Sequence, residues 1–429
     1  SGIQVFDSGI LYIYLKKIMA IWVQIIFTQI PKPMNNFLAK FLFLALLGAT
    51  VLGGYGMYKS MDASSDLRSS HSTKSIVSIS ENKIIPAPGE VHDGELIQIA
   101  LLLDVSGSMQ GLIDQARGEL WKVVNELAGR NEQKSSLEIG LYAYGVGGSA
   151  YTIYKISDFT TDLDFVSEKL YSLQITGSSE YCGQVIRDAV VDLEWREGKS
   201  GGRFICIAGN EPFTQGSFPY EKACGMAHQK GIVVNTIYCG EENAGLLSGW
   251  KDGAQVGGGE YFAINQNQVT DIKSPYDDDI SSVNNRLNGT YLNYSQSGYK
   301  NYERQQVQDQ NSQKKFGNAN VATRAKSKLS SYYDNSHWDL VDAVENEKLD
   351  LDTITVSAYQ WAEPLQNKTR EELKEEVERL KTERSTFKAE LSTLIARRDS
   401  FVAVEQANQQ APASLGQALS KSFERKLKK

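Results

Sequence analysis

L-I-Q-I-A-L-L-L-D-V-S-G-S-M, residues 96–109, is the stretch on which the reading of the fold turns. Its first eight residues are mostly aliphatic and are bounded by polar turn formers, the pattern of a strand buried on both faces of a parallel sheet. Such a strand delivers its last residues to the carboxyl edge of the sheet, where open α/β folds place their sites. There Asp104, Ser106 and Ser108 alternate with Val105 and Gly107, so one carboxylate and two hydroxyls can converge. An oxygen-only cluster suits a hard cation such as Mg²⁺, which accepts one or two carboxylates and keeps several waters. A helix N-cap is the alternative use of a Ser or Asp here, but a cap needs one oxygen and the stretch offers three.

Asp104-Val105-Ser106-Gly107-Ser108, after a buried strand and before the amphipathic stretch 112–127, resembles the D-x-S-x-S motif of von Willebrand factor type A domains. The resemblance covers residues 94–266. It implies a doubly wound, mostly parallel sheet with a metal-ion-dependent adhesion site at its edge, and protein recognition there through Mg²⁺ or Mn²⁺. The pattern of the rest agrees. A hairpin signal joins 136–144 to 151–159, and helical spacing follows at 163–173, 183–194 and 220–229. Apolar strand-like runs stand at 204–208, 232–238 and 259–264. Strands alternating with helices predict right-handed crossovers and a largely parallel sheet.

The site departs from the pattern the resemblance implies. Type A domains supply a Thr three residues before the helix that begins here near Gly183, and Glu180 stands in that place. They supply an Asp at the end of the next central strand, and Gly209 stands there, within Ile207-Ala208-Gly209-Asn210-Glu211-Pro212. Thr176 is an alternative for the Thr, and Asn210 or Glu211 for the Asp. The candidate ligand set is therefore Asp104, Ser106, Ser108, Glu180 and Asn210. The other reading is a degenerate site whose fold persists without metal.

No catalytic constellation emerges, and the chain reads as a non-enzyme. Neither G-x-G-x-x-G nor G-x-x-x-x-G-K-[ST] follows the first strand, which removes the dinucleotide and P-loop readings. A Ser nucleophile needs a His, and His71, His92, His228 and His337 are scattered outside any such arrangement. A formal net charge of −7 argues against nucleic acid as the main partner. Cys182, Cys206, Cys224 and Cys239 lack metal-type spacing; Cys206 and Cys239 sit in apolar runs and read as buried free thiols, with a disulfide as the alternative in an oxidising compartment.

The first residue is Ser, and residues 1–33 read as a mis-extended beginning. Residues 34–58 open with Met34 and Lys40 and continue into the apolar run 41–55, the layout of a signal peptide or an uncleaved signal-anchor helix. The run falls a little short of the about 20 residues of a full span, which Tyr55, Met57 and Tyr58 would extend. An anchor there predicts a single-pass membrane protein with the type A domain on the periplasmic or extracytoplasmic side. Residues 59–93, rich in Ser, Asp and Lys, read as a flexible linker.

Beyond the domain, 267–366 is a polar, partly helical extension rich in Asn, Gln, Ser and Tyr. Its Asp277-Asp278-Asp279 run lacks the alternate spacing of a calcium loop and predicts a helix start instead. In 367–404, Leu373, Leu380, Phe387, Leu394 and Phe401 recur every seven residues, with Val377, Arg384, Leu391 and Arg398 between them. That is a coiled-coil seam, open either to a homo-oligomer or to packing of one long helix on the domain. Residues 405–429 read as a basic tail. Two functional readings follow: a membrane-tethered recognition module for protein partners in the cell envelope, or a structural scaffold that oligomerises through its carboxyl-terminal helix.

Overall fold

The computed structural model describes residues 95–130, 136–146, 153–177, 180–197, 201–267, 271–294, 296–352, 365, 368–407 and 414–427. The chain divides into two units, Ser1–Asn82 and Lys83–Lys429. The first unit, with the anchor reading of 34–58 and most of the linker, lies outside the described residues. Among the described residues no helix is long and apolar enough to cross a membrane.

The second unit begins with β1 (Leu96–Asp104), all of whose residues are buried, and α1 (Gln110–Arg130). Next come β2 (Ser136–Tyr144), β3 (Ile153–Thr160), α2 (Leu163–Ser172) and α3 (Cys182–Asp192). They are followed by β4 (Gly201–Gly209), α4 (Tyr220–Gln229), β5 (Val233–Cys239), α5 (Glu242–Leu247), α6 (Trp250–Val256) and β6 (Gly258–Ile264). The strands form one sheet in the order β3-β2-β1-β4-β5-β6. β1 pairs in parallel with β2 and β4, and β5 with β4 and β6, while β3 runs antiparallel to β2 at one edge. The order reverses at β1, which therefore brings Asp104 to the switch point of the sheet. This is the architecture that the motif at 104–108 implied.

One face of the sheet carries Ala100, Leu102, Tyr142, Ile205 and Ile207 and is covered by α3, α4 and α6. The other carries Leu101, Leu103, Leu141, Phe204 and Cys206 and is covered by α1 and α2, with one further helix from far along the chain. That helix is the last of a second run of elements, which follow β6: α7 (Asp277–Asn288), α8 (Gln296–Phe316), α9 (Asn318–Ser327), α10 (Leu340–Glu345), α11 (Arg370–Ala407) and α12 (Leu415–Leu427).

Residues 415–427 are where sequence and structure part most. Read as a basic tail, they form α12, whose Leu415, Ala418, Leu419 and Phe423 are buried on the sheet face. Phe423 meets Phe204 edge-on, with 4.9 Å between ring centroids. The apolar positions Leu415, Leu419 and Phe423 recur every four residues, so one stripe of the helix faces the sheet, and Lys421 stays exposed on the other. The sheet domain is thus completed by residues some 150 positions after β6 ends, and the helical elements α7 to α11 form an insertion between its last strand and its last helix.

The insertion is held by buried charges. Asp164 on α2 pairs with Arg324 on α9 at 2.6 Å, Arg324 with Asp309 on α8, and Lys328 with Asp309 at 2.9 Å. Arg324 also lies 4.4 Å over the Trp121 ring of α1. Asp309 accepts further bonds from Asn284 and Asn288, which satisfies a buried carboxylate; the Lys328 and Arg324 charges and the Asn288 amide outweigh burial and hold its pKa below the ordinary carboxylate value. α8 was missed from sequence because its buried face is Gln305, Gln308, Asp309 and Ser312 rather than aliphatic.

The seam of α11 packs on its own chain. Leu373, Val377 and Leu380 join Leu292, Leu340 and Val341 in a small apolar cluster, and Leu391 and Ile395 join the main core. At 394–395 the buried residue is Ile395, with Leu394 only partly covered, because a straight helix drifts from a strict seven-residue repeat by about 20° per heptad. The two arginines of the seam end in acids: Arg384 at 2.6 Å from Asp339 and also bonded to Asp342, and Arg398 at 2.8 Å from Asp277. Asp277 to Asp279 occupy the first turn of α7, the helix start predicted for them.

Candidate functional site

Asp104 ends β1 and has no exposed surface. Its Oδ1 accepts the Ser106 backbone N–H at 2.7 Å, which turns the chain sharply out of the sheet. The turn is anchored on both sides: Val105 N–H donates to the Tyr144 carbonyl of β2, and Thr176 N–H donates to the Val105 carbonyl at 2.8 Å. This brings the loop before α3, and with it Glu180, against the end of β1. Gly145 marks the junction. An added Cβ there would stand 2.7 Å from Asp104 Oδ1 and 3.2 Å from Glu180 Cγ, and the residue has φ +75°, a conformation that favours glycine.

Asp104, Ser106 and Glu180 are all buried; the Ser106 hydroxyl bears on both carboxylates, and Asp104 Oδ2, Ser106 Oγ and Glu180 Oε2 are left without a well-formed hydrogen bond. Unsatisfied buried polar atoms are uncommon and costly, and three gathered at one sheet edge form a donor set without its acceptor. The electrostatics agree. Burial pushes the Asp104 carboxyl up to about 7 against the hydrogen bonds from the Ser106 backbone and hydroxyl, with the Glu180 and Glu211 charges adding to the rise. Burial and Glu211 raise Glu180 as well. Buried carboxylates crowded in this way need a proton or a cation.

Ser108 and Asn210 stand further out. Ser108 is exposed, and its hydroxyl is 3.1 Å from the Asn210 amide nitrogen. They satisfy each other at the rim. Thr176, the alternative for Glu180, is exposed and contributes its backbone. Glu211, the alternative to Asn210, is half-buried and accepts Gln215 Nε2 at 3.2 Å, while Gln215 Oε1 accepts the Glu180 N–H at 3.3 Å. One glutamine therefore ties both glutamates to the loop after β4. Position 209 offers nothing to the cluster, since the Tyr144 hydroxyl bonds to the Ala208 carbonyl at 2.9 Å beside it.

Among the described residues no group of three or more His, Cys, Asp or Glu side chains is arranged to hold a metal. The cluster is instead two carboxylates and a hydroxyl, and in chemical type these are the hard oxygen donors that Mg²⁺ or Mn²⁺ takes. The four cysteines are buried and unbridged. Burial pushes the thiols of Cys206 and Cys224 up to about 12 and raises those of Cys182 and Cys239 well above the ordinary thiol value.

No family model matches the chain, and no curated protein matches it. Among solved structures it is similar to the conserved hypothetical protein BatB from Bacteroides thetaiotaomicron, at 17% identity and a TM-score of 0.31, over 39% of this chain and 90% of that one. It is similar to an aerotolerance-related membrane protein from Bacteroides fragilis at 18% identity and a TM-score of 0.28, over 40% of this chain and 93% of the other. It is similar to the SpRpn10 VWA domain at 18% identity and a TM-score of 0.32, over 39% and 88%. The assignment of architecture rests on the chain's own strand order and on the motif at the end of β1.

Proposed function

We propose that the chain is a protein-recognition module that works through the carboxyl edge of a type A domain, with a divalent cation held by Asp104, Ser106 and Glu180. The observation that carries this reading is the convergence of three buried, unpartnered oxygens, Asp104 Oδ2, Ser106 Oγ and Glu180 Oε2, at the switch point of the sheet. Ser108 and Asn210 would complete the shell from the rim. Bound there, Mg²⁺ or Mn²⁺ supplies a positive charge that ties the β1 turn to the loop before α3 and presents an electrophilic point to a partner's oxygen.

The apolar run at 41–55 supports placement of this module at the cell membrane, in the envelope. The scaffold reading, with self-association through α11, has less in its favour: Arg384 and Arg398 would have to leave Asp339, Asp342 and Asp277 before the seam could meet a second copy. The test is capture of envelope proteins by the full chain in Mg²⁺ and in chelator, with Asp104→Ala alongside. Capture that needs both the ion and Asp104 supports the reading, and capture indifferent to both overturns it.

A further inference from the structure

We propose that the Tyr144 hydroxyl decides which side of the cleft supplies the second carboxylate to the cation, an inference that rests on the cation site proposed above. Tyr144 ends β2 and is fully buried, with its Oη fixed on the Ala208 carbonyl at 2.9 Å. An added Cβ on Gly209 would stand 2.4 Å from that Oη, 3.1 Å from Asp104 Oδ2 and 3.2 Å from Asp104 Cβ. Residue 209 therefore aims at the free oxygen of Asp104, the direct route by which β4 could bring a ligand. The hydroxyl makes the one contact under 3 Å, and Asp104 itself makes the two tight contacts that follow.

The other side is taken by Glu180. A Cβ on Gly145 would stand 2.7 Å from Asp104 Oδ1 and 3.2 Å from Glu180 Cγ, so the buried Glu180 carboxylate comes in there because residue 145 has no side chain. Two glycines thus flank Asp104, one with the Tyr144 hydroxyl over it and the other with Glu180. The β4 side is left with Asn210 and Glu211, one and two residues beyond the strand, where Asn210 bonds Ser108 and Glu211 bonds Gln215. Tyr144 is a positioning residue: it touches no ion, and it makes the site depend on Glu180.

The experiment combines urea unfolding in chelator with calorimetric titration of Mn²⁺ alone into the full chain. In chelator, Gly209→Ala is expected to destabilise strongly, and to destabilise much less in the Tyr144→Phe background; equal costs in the two backgrounds overturn the proposal. With Mn²⁺, Glu180→Gln is expected to weaken binding by about tenfold or more, the scale on which removal of groups at metal sites acts. In the chain carrying both Tyr144→Phe and Gly209→Asp, the same Glu180→Gln is expected to cost little, because position 209 then reaches Asp104 and supplies the carboxylate. Should Gly209→Asp not fold, Gly209→Asn in that background takes its place. If the natural chain binds Mn²⁺ but Glu180→Gln weakens both backgrounds equally, the role of Tyr144 is overturned and the cation site stands. If the natural chain binds no Mn²⁺, both are overturned.

Discussion

The carboxylate of Glu119, in the middle of the first helix, accepts the backbone N–H of Gly416 at 2.6 Å across 297 positions of sequence. One turn earlier in α1, Gln115 accepts the Leu415 N–H at 2.9 Å. Two of the otherwise orphaned amides at the amino end of α12 are satisfied by the helix beside it, and the negative charge of Glu119 sits at the positive end of the α12 dipole. The sheet domain is therefore closed by the end of the chain, and the long helical insertion leaves and returns through it.

Removal of 414–429 is expected to uncover the apolar face around Leu101, Phe204 and Cys206 and to unfold or aggregate the domain. Phe423→Ala, which keeps the helix, should cost about 3–5 kcal/mol, the range for deleting a fully buried aromatic side chain. Glu119→Ala should cost about 1–2 kcal/mol through the loss of a charged cap. Urea unfolding reads both, and a Phe423→Ala chain as stable as the natural one would show that α12 does not hold the face.

Arg384 is the second fixed point of the insertion. It bonds Asp339 and Asp342, donates to the Thr290 carbonyl at 2.6 Å, and stacks 4.2 Å over Tyr291. Arg384→Ala leaves two carboxylates buried together without the guanidinium that pairs them, so a loss of about 3–5 kcal/mol is expected. Arg379→Ala is the control on the same helix, where the pairs with Glu376 and Glu383 are exposed and worth at most about 1 kcal/mol. A coiled-coil dimer predicts the reverse emphasis, with Arg384→Ala raising the mass by light scattering as a charge leaves the seam. An unchanged mass alongside the stability loss supports intramolecular packing.

The sheet was legible because its strands are aliphatic runs of the right length, and Asp104, Ser106 and Ser108 were legible because they follow one of them. Glu180 was singled out by the resemblance, counting back three from Gly183, and in the structure it lies against the end of β1 beside Asp104. What sequence could not show is the interior of the insertion. Its buried residues include Asp309, Arg324 and Lys328, types that belong on surfaces unless paired, and pairing across α2, α8 and α9 leaves no local periodic signal. Likewise α12 is a short stripe in a basic segment, and the face it covers is made by strands more than 150 positions earlier. The blocking of position 209 depends on Tyr144, which reads in sequence as one more apolar strand residue.

The four thiols give a test of packing. All are buried, and burial raises each pKa well above that of a free cysteine, so little thiolate forms near neutral pH. A thiol-specific colorimetric reagent should label the native chain slowly, and should label four groups at once in denaturant without reductant. Fewer than four groups in denaturant would mean that a bridge exists in solution.

The last expectation concerns the cation itself. A ligand that binds only the folded state stabilises it by mass action, by about 1.4 kcal/mol when present at tenfold above its dissociation constant. For a domain of this size that is a rise in Tm of about 3–6 °C. Millimolar Mg²⁺ or Mn²⁺ should raise the Tm of the natural chain by this much relative to chelator. Asp104→Ala removes one of the two carboxylates and the turn that aims Ser106, so the rise should vanish. Glu180→Ala leaves Asp104 and Ser106 in place and should reduce it. The order of the two effects carries the argument, because a general salt effect on a chain of net charge −7 would act on both variants alike. A Tm indifferent to divalent ions and to chelator would remove the cation, and would leave Asp104, Ser106 and Glu180 as an edge whose buried acids are held by protons alone.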